Sequence, residues 1–436
     1  MASIREIATK LVYTSFRRYN SVKKILPSKN RQLAWLHALS TSDQYPSMDD
    51  AVLREASKKY INHYQSPWLD VMTSQDFPVP RSSDRLDLST VDRIAIYLQE
   101  LLDRYISRIY WGYNRQKVNQ LFWDMLIKEI DIHTFPNTVY NGIISVSTDV
   151  RVMPTELPIY PAENSYMVDH FQLSQISFNT PVKVLHTAQS RKWLLIVSGQ
   201  VFGWVKSAEV AKIRESDQAI WLSQENWAVM LDDTYPVTCG GNWYFSTRIG
   251  QVFPVSSDGI LIHKKMSSGY AKMLTCHVPT TICQEFPCRI DHDVWFALIQ
   301  KFLFQPYGWG DVYGLRDCSR LIVDLYACFG IWLPRLSFDQ ANLATVVTIP
   351  VQVDHRKDWI VKYCRPGESI LYMPGHVVLY MGEVDGEAII LQTILGPKNS
   401  GYIIGESALM SLDFDSGLGD HYATFLNRIT RVIGVK

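Results

Sequence analysis

The chain has 436 residues, 47% apolar and 20% charged, which excludes global disorder and exceeds one ordinary core; at about 150 residues per domain it holds roughly three. Forty-three basic residues balance forty-three acidic ones, so no overall field recruits nucleic acid or an anionic membrane, and the expected partner is neutral or zwitterionic. Nowhere does the chain offer the roughly 18 uncharged apolar residues of a membrane span.

The first thirty positions carry Arg5, Lys10, Arg17, Arg18, Lys23, Lys24 and Lys29 against Glu6 alone, without the apolar stretch of a secretory signal. Ile4, Ile7, Ala8 and Leu11 fall on one face of a short basic amphipathic helix, either a surface-binding or import segment or an ordinary exposed helix. Apolar positions at helical spacing in residues 51–64 and again from 86 to about 130 (Val91, Ile94, Leu98, Leu102, Tyr105, then Phe122, Met125, Leu126) predict a helical N-terminal region over residues 1–138. Gly112 marks a break between two of its helices, and its Tyr and Trp residues are read as packing.

Past Pro136 the pattern changes to short β-type runs. Val182 to His186, Trp193 to Val197 and Phe202 to Val205 read as consecutive antiparallel strands of a small barrel over residues 139–216. Ala228 to Leu231, Trp243 to Phe245, Gly250 to Val255 and Ile260 to His263 repeat the texture and predict a second barrel over residues 217–280. Both segments resemble bacterial SH3 domains, the closing Gly203-Trp204-Val205 of the first being the most specific detail. Seven cysteines, an odd number confined to the second half, argue against a disulfide framework. Cys276, His277, Cys283, Cys288 and His292 lack zinc-ligand spacing, so no metal is expected and these thiols are read as buried or free.

In the last third, residues 281–436, Asp317 is placed to cap a helix starting near Cys318, with Leu321, Ile322, Leu325 and Phe329 as its apolar stripe, Gly330 just past its end and Pro334 preventing continuation. Cys328 is expected on the buried stripe; Cys318 instead stands at the positive end of the helix. A thiol attacks as its thiolate, and both a helix N-terminus and an imidazolium from elsewhere lower its pKa, so Cys318 is expected to be activated.

Four motifs in order, Tyr307-Gly308-Trp309-Gly310, Asp317-Cys318-Ser319, Leu333-Pro334-Arg335-Leu336-Ser337 and Gly375-His376-Val377-Val378-Leu379-Tyr380, resemble the NlpC-type, papain-like cysteine peptidases that cut bacterial cell-wall peptides. With the helical region and two SH3-like barrels upstream, the resemblance covers the chain from about residue 86 and implies an α+β multi-domain protein ending in a papain-like catalytic domain. It implies Cys318 as nucleophile and His376 as general base. Where the family usually has a histidine to orient the base, this chain reads Leu391-Gln392-Thr393. Gln392 is the candidate and Thr393 the fallback; a three-residue loop after Gly382 sets Gln392 opposite His376, a two-residue Asp385-Gly386 turn does not, and both turns stay open.

Relatives with this domain plan are similar to γ-D-glutamyl-L-diamino-acid endopeptidases that require a free N-terminal L-alanine on the stem peptide. The resemblance then implies Asp317 as ligand of the α-ammonium as well as helix cap, with Tyr307, Ser319 and Ser337 lining the pocket. Two positions depart from the pattern: Arg320 stands where glycine usually follows Asp-Cys-Ser, and Asp311 replaces the second glycine after Trp-Gly. No cofactor is expected, and the protein is expected to be a monomer. Its compartment is the periplasm or cell envelope if a signal preceded this chain, the cytoplasm otherwise. Two alternatives remain: a weakly active wall-binding protein, or a same-fold acyltransferase or toxin acting on another amide. The third residue of the substrate, diaminopimelate or lysine, and intact wall against recycled peptide are both open.

Overall fold

The computed structural model describes residues 26–42, 45–69, 89–165, 167–343, 345–350, 352, 355–396, 403–415 and 425–434. The amphipathic segment with Ile4, Ile7, Ala8 and Leu11 lies outside them. The chain divides into two units, residues 58–286 and residues 1–57 with 287–436. The helical region expected over 1–138 is therefore split, its first part grouping with the C-terminal domain. Two helices open the described chain, α1 (Lys29–Ser40) and α2 (Asp50–Gln65).

In the unit of residues 58–286, the helical periodicity appears as α3 (Thr90–Ile106) and α4 (Gln120–Ile130), with Gly112 in the connection. Ser89 caps α3 by accepting from the Asp92 N–H, and Asn119 caps α4 by accepting from Phe122. Ile94, Leu98, Leu102, Trp123 and Leu126 bury against Leu185, Leu195 and Trp204 of the first barrel, which is why these aromatic residues are packing residues. The apolar face is narrower than the pattern suggested, since Ile109, Leu121 and Met125 are more than 60% exposed.

The first barrel consists of β1 (Tyr140–Ile144), β2 (Thr148–Arg151), β3 (Gln172–Ile176), β4 (Pro181–Thr187), β5 (Trp193–Val197), β6 (Phe202–Lys206) and β7 (Val210–Lys212), in the order β3-β2-β6-β5-β4-β1-β7. The three strands read from the sequence are β4, β5 and β6, whose Val, Ile and Leu runs are almost wholly buried. After α5 (Glu215–Leu222), the second barrel has β8 (Trp227–Met230), β9 (Pro236–Cys239), β10 (Asn242–Ser246), β11 (Val252–Ser256), β12 (Gly259–Lys265), β13 (Ala271–Cys276) and β14 (Cys283–Glu285). Five of them form a sheet, β13-β12-β11-β8-β14, and β9 and β10 form a separate hairpin.

The other unit is built on a six-stranded sheet, β15 (Val346–Thr348), β16 (Ser369–Met373), β17 (His376–Val384), β18 (Glu387–Ile394), β19 (Glu406–Ser411) and β20 (Arg431–Gly434), ordered β15-β20-β16-β17-β18-β19. Its helices are α6 (His292–Phe302), α7 (Cys318–Ala327), α8 (Ser337–Gln340), α9 (Arg356–Tyr363) and α10 (Phe425–Arg428). Strands β16 to β19 are buried on both faces, and their sequences accordingly read as continuous apolar runs. Helix α1 covers part of this sheet: Gln32, fully buried, accepts from the Leu409 N–H and donates to the Pro27 carbonyl. The arrangement is an α+β multi-domain protein, as the sequence predicted.

Helix α7 starts and stops where its local sequence says. Asp317 Oδ1 accepts from the Arg320 N–H at 2.9 Å, and Gly330 takes φ 71°, the left-handed conformation that closes a helix. A Cβ at Gly330 would lie 2.6 Å from Ser57 Cβ, so the position needs glycine for space as well as for conformation. Cys328 is fully buried. Among the described residues no helix is long and apolar enough to cross a membrane, and no group of three or more His, Cys, Asp or Glu side chains is placed to hold a metal.

Candidate active site

Cys318 is the first residue of α7, a position whose N–H has no intrahelical partner. The backbone N–H groups of Val377 and Ser319 lie close enough to its sulfur to pull its pKa down against burial, so the nucleophile candidate sits near the strand that begins with His376. His376 is buried, with the Phe425 ring edge-on at 5.8 Å. Its Nε2 meets Gln392 Oε1 at 3.0 Å. Because the Gln392 amide nitrogen is occupied by donating to Met410 Sδ at 3.1 Å, the amide oxygen faces the ring and can only accept. Nε2 therefore carries the hydrogen and Nδ1 carries the lone pair, the tautomer a general base requires.

The turn between β17 and β18 is the two-residue one, Asp385-Gly386, with Val384 paired to Glu387. Continued without interruption, that register would put Gln392 on the face opposite to His376. A bulge between Tyr380 and Gly382 shifts the pairing to Leu379 with Leu391, which sets Gln392 across from Val378 and diagonal to His376 on the same face. Thr393 points the other way and bonds Ser407, so it does not touch the histidine.

The charge state differs from the expectation. The Cys318 thiol is pushed up to about 12, by burial first and the neighbouring Asp317 carboxylate second, against the opposing pull of the Val377 N–H, Arg335 and the Ser319 N–H. The helix terminus contributes only about 0.3–1 kcal/mol, less than one pKa unit, and is outweighed. Burial likewise pushes His376 down to about 4, the Gln392 bond only partly countering it. The resting pair is thus neutral thiol and neutral imidazole. A histidine that stays neutral when folded stabilises the protein above pH 6.5, and that contribution is lost as pH falls from 6.5 toward 4.

Asp317 does more than cap. Arg335 grips it with two bonds, Nη2 to Oδ2 at 2.8 Å and Nη1 to Oδ1 at 3.2 Å, and Nη1 also donates to Ser319 Oγ at 3.0 Å. Ser319 Oγ donates to Asp317 Oδ1 at 3.2 Å. Tyr307 lies close enough for Asp317 and Cys318 to add to the burial that holds its hydroxyl well above the ordinary value. The structure thus brings Tyr307, Asp317, Cys318 and Ser319 together. Ser337, the first residue of α8, is half-buried, and among the described residues no hydrogen bond joins its side chain to this group.

The two departures from the family pattern turn out to face each other. Asp311 is fully buried and accepts from Arg335 Nε at 3.1 Å, while Arg320 Nε lies 3.7 Å from the same Asp311 oxygen and 2.8 Å from Asp324. Arg316 bonds the other oxygen of Asp324 at 2.7 Å. Three arginines and three aspartates form one buried, formally neutral network, with Arg320 turned inward as a structural group and not toward a substrate. Sequence reading assigned no role to Arg335, Arg316 or Asp324. A signal existed: Arg320 and Asp324, four apart, sit in a helix of otherwise apolar residues buried on all sides, where a charge must be paired.

Residues 304–393, which hold Tyr307, the charged network, Cys318, His376 and Gln392, match the NlpC/P60 family. The C-terminal domain is an NlpC/P60 domain. Residues 158–206 match the SH3 domain of SH3b1 type and residues 216–259 that of SH3b2 type, falling on the two barrels. A solved structure of an NlpC/P60 endopeptidase from Photobacterium damselae subsp. piscicida is similar over 89% of this chain and 93% of its own, at 21% identity and TM-score 0.77. An NlpC/P60 family protein from Bacillus cereus is similar over 68% of this chain and 99% of its own, at 14% identity and TM-score 0.48. No curated protein matches the chain by sequence. The match supports a cysteine hydrolase acting on peptidoglycan.

The Gln392 bond has a measurable signature. Gln392→Ala is expected to lower kcat/KM roughly 10- to 100-fold by freeing the imidazole ring. It also removes an interaction that raises the His376 pKa, so the acid limb of the pH profile, already displaced below 6.5 toward about 4, moves lower still. A rate loss with an unmoved limb would assign Gln392 to packing alone.

Proposed function

We propose that this protein is a cysteine endopeptidase that cuts the γ-D-glutamyl-L-diamino-acid bond of peptidoglycan stem peptides with a free N-terminal L-alanine, acting as a monomer without a cofactor. The observation that carries the reading is the Cys318, His376, Gln392 line: a helix-mouth thiol beside the strand of a histidine held in the tautomer that exposes Nδ1. His376 takes the thiol proton as sulfur attacks the scissile carbonyl, so the charged pair exists only as the bond forms. The Cys318 N–H, without a helical partner, donates to the developing oxyanion. The imidazolium then protonates the leaving amine and the neutral ring activates water to release the acyl-enzyme.

Asp317 supports selection of a free α-ammonium. Its Oδ1 is occupied by the cap, Ser319 and Arg335, whereas Oδ2 accepts only from Arg335 Nη2 among the hydrogen bonds observed and keeps a lone-pair direction for a second donor. Asp311 shares the charge of Arg335, which leaves Asp317 negative enough to attract a cation. The SH3 domains fit work on wall material in the envelope. A second reading, a wall-binding protein with little activity, draws on the raised Cys318 thiol.

Incubation with L-Ala-γ-D-Glu-diaminopimelate, its lysine counterpart and their N-acetylated forms, beside a Cys318→Ala control, separates these. Release of L-Ala-D-Glu from the free-amine peptides alone is expected by mass spectrometry. Equal cutting of acetylated peptides would remove the ammonium role of Asp317, and no release at all, with binding to wall retained, would establish the second reading.

A further inference from the structure

The seven cysteines are all free thiols, and two of them, distant in sequence, meet in the second barrel. Cys239 ends β9 and Cys276 ends β13. Cys239 Sγ donates to the Thr275 carbonyl at 3.1 Å, next to Cys276, and Cys239 packs against the core cluster that holds Cys276. Cys276 is 1% exposed and packed in the barrel core, while Cys239 is half-buried at its edge. The two side chains are near enough that Cys239 adds to burial in raising the Cys276 thiol pKa, and side-chain rotation with a small backbone shift brings the sulfurs to the ~2.05 Å disulfide length.

The local backbone permits that shift. Cys239 is followed by Gly240 and Gly241 at φ 57° and 77°, with open space around both, and the β9–β10 hairpin pairs only with itself. A metal site is the competing reading for paired thiols, but no third ligand joins them among the described residues. We propose that Cys239 and Cys276 are a disulfide site that staples the β9–β10 hairpin to β13 when the protein meets an oxidising thiol–disulfide couple. The inference stands on residues 58–286 alone and is independent of the hydrolase chemistry.

The chemistry balances with a small-molecule disulfide as oxidant. The Cys239 thiolate, the accessible member, attacks the external disulfide, forming a mixed disulfide and releasing one thiolate. The Cys276 sulfur then attacks Cys239 Sγ, expelling the second thiolate, and the two protons lost by the cysteines go to the two released thiolates. Two thiols are oxidised and one external disulfide is reduced. Burial pushes Cys276 up to about 12, so it reacts second, inside the mixed disulfide. Closing the bond anchors a hairpin that carries Trp243, 62% exposed, just past the glycine turn. The hairpin is therefore held in an oxidising compartment and released in a reducing one.

The test uses the full-length Cys318→Ala chain, so that the reactive-site thiol does not compete for oxidant. After oxidised glutathione, native quenching with N-ethylmaleimide and digestion, a Cys239–Cys276 cross-linked peptide is expected, reversed by dithiothreitol and absent from a Cys239→Ser variant. Hydrogen exchange of the amides in residues 236–246 is expected to slow on oxidation in the first chain and to stay unchanged in the second. A stable glutathione adduct on Cys239 with Cys276 still alkylatable after denaturation, or both thiols remaining free, overturns the proposal.

Discussion

Cys318→Ala is expected to abolish release of L-Ala-D-Glu and to leave the fold in place. The proposed hydrolysis depends on a sulfur that forms a covalent bond with the substrate carbonyl, and its nearest polar neighbours are engaged elsewhere: Ser319 is bound to Asp317 and Arg335, and His376 is held by Gln392. Loss of a nucleophile of this kind costs on the order of 10⁶-fold in kcat. The fold loses little, because one half-buried sulfur disappears while the cap at Asp317 and the apolar stripe of α7 are untouched. The expected change in stability stays within about 1 kcal/mol. Mass-spectrometric product assay beside a thermal melt checks both halves, and turnover persisting near the wild-type rate would place the chemistry elsewhere. Cys318→Ser is equally informative, since a hydroxyl in that position is far harder to ionise than the already raised thiol.

The second large effect concerns stability. Asp311→Ala leaves the fully buried Arg335 and the nearby Arg320 short of a carboxylate, and breaking a buried pair in this way costs about 3–5 kcal/mol. Asp311 also sits at φ 63° in the loop Trp309–Gly314, where Gly310, Tyr313 and Gly314 are left-handed too. Glycine there relieves about 1 kcal/mol of backbone strain, so Asp311→Gly is expected to cost less than Asp311→Ala. The decisive variant is the double one, Asp311→Gly with Arg320→Gly. It removes one charge of each sign, leaving Arg335 on Asp317 and Arg316 on Asp324, so the network stays neutral. The double loss is expected to fall short of the sum of the single losses by about 1–3 kcal/mol. Hydrogen exchange of the α7 amides measures this locally, as a chain of two units need not unfold in one step. Strictly additive losses would mean that the two residues replaced their glycines independently.

This pair shows how far single positions can mislead. Read one at a time, Arg320 and Asp311 are departures, and Arg320 looks like a charge set in the cleft. Together they are a compensated exchange between a loop and the helix that follows it, whose charged side chains meet only when the chain folds. Gln392 is a related case. The family resemblance offers Gln392 or Thr393 on the strand after His376 and leaves the turn open; the two-residue turn alone would set Gln392 on the wrong face, and the bulge at Met381 reverses that. A helix such as α1 looks like its neighbours in sequence, and the bonds of Gln32 to Leu409 and of Arg31 to Glu387 tie it to the C-terminal sheet.

Order and local geometry of the site follow from the sequence alone. Asp317 caps because its carboxylate reaches the N–H three residues on, Gly330 closes α7 because it has no Cβ to obstruct φ 71°, and the apolar strand runs of the barrels and the sheet are nearest-neighbour patterns. The direction in which the thiol and imidazole titrate, the face on which Gln392 lies, the partners of the three arginines and three aspartates and the meeting of Cys239 with Cys276 belong to tertiary structure. Each depends on desolvation or on strand register, and both arise only when segments separated in sequence pack together and exclude water.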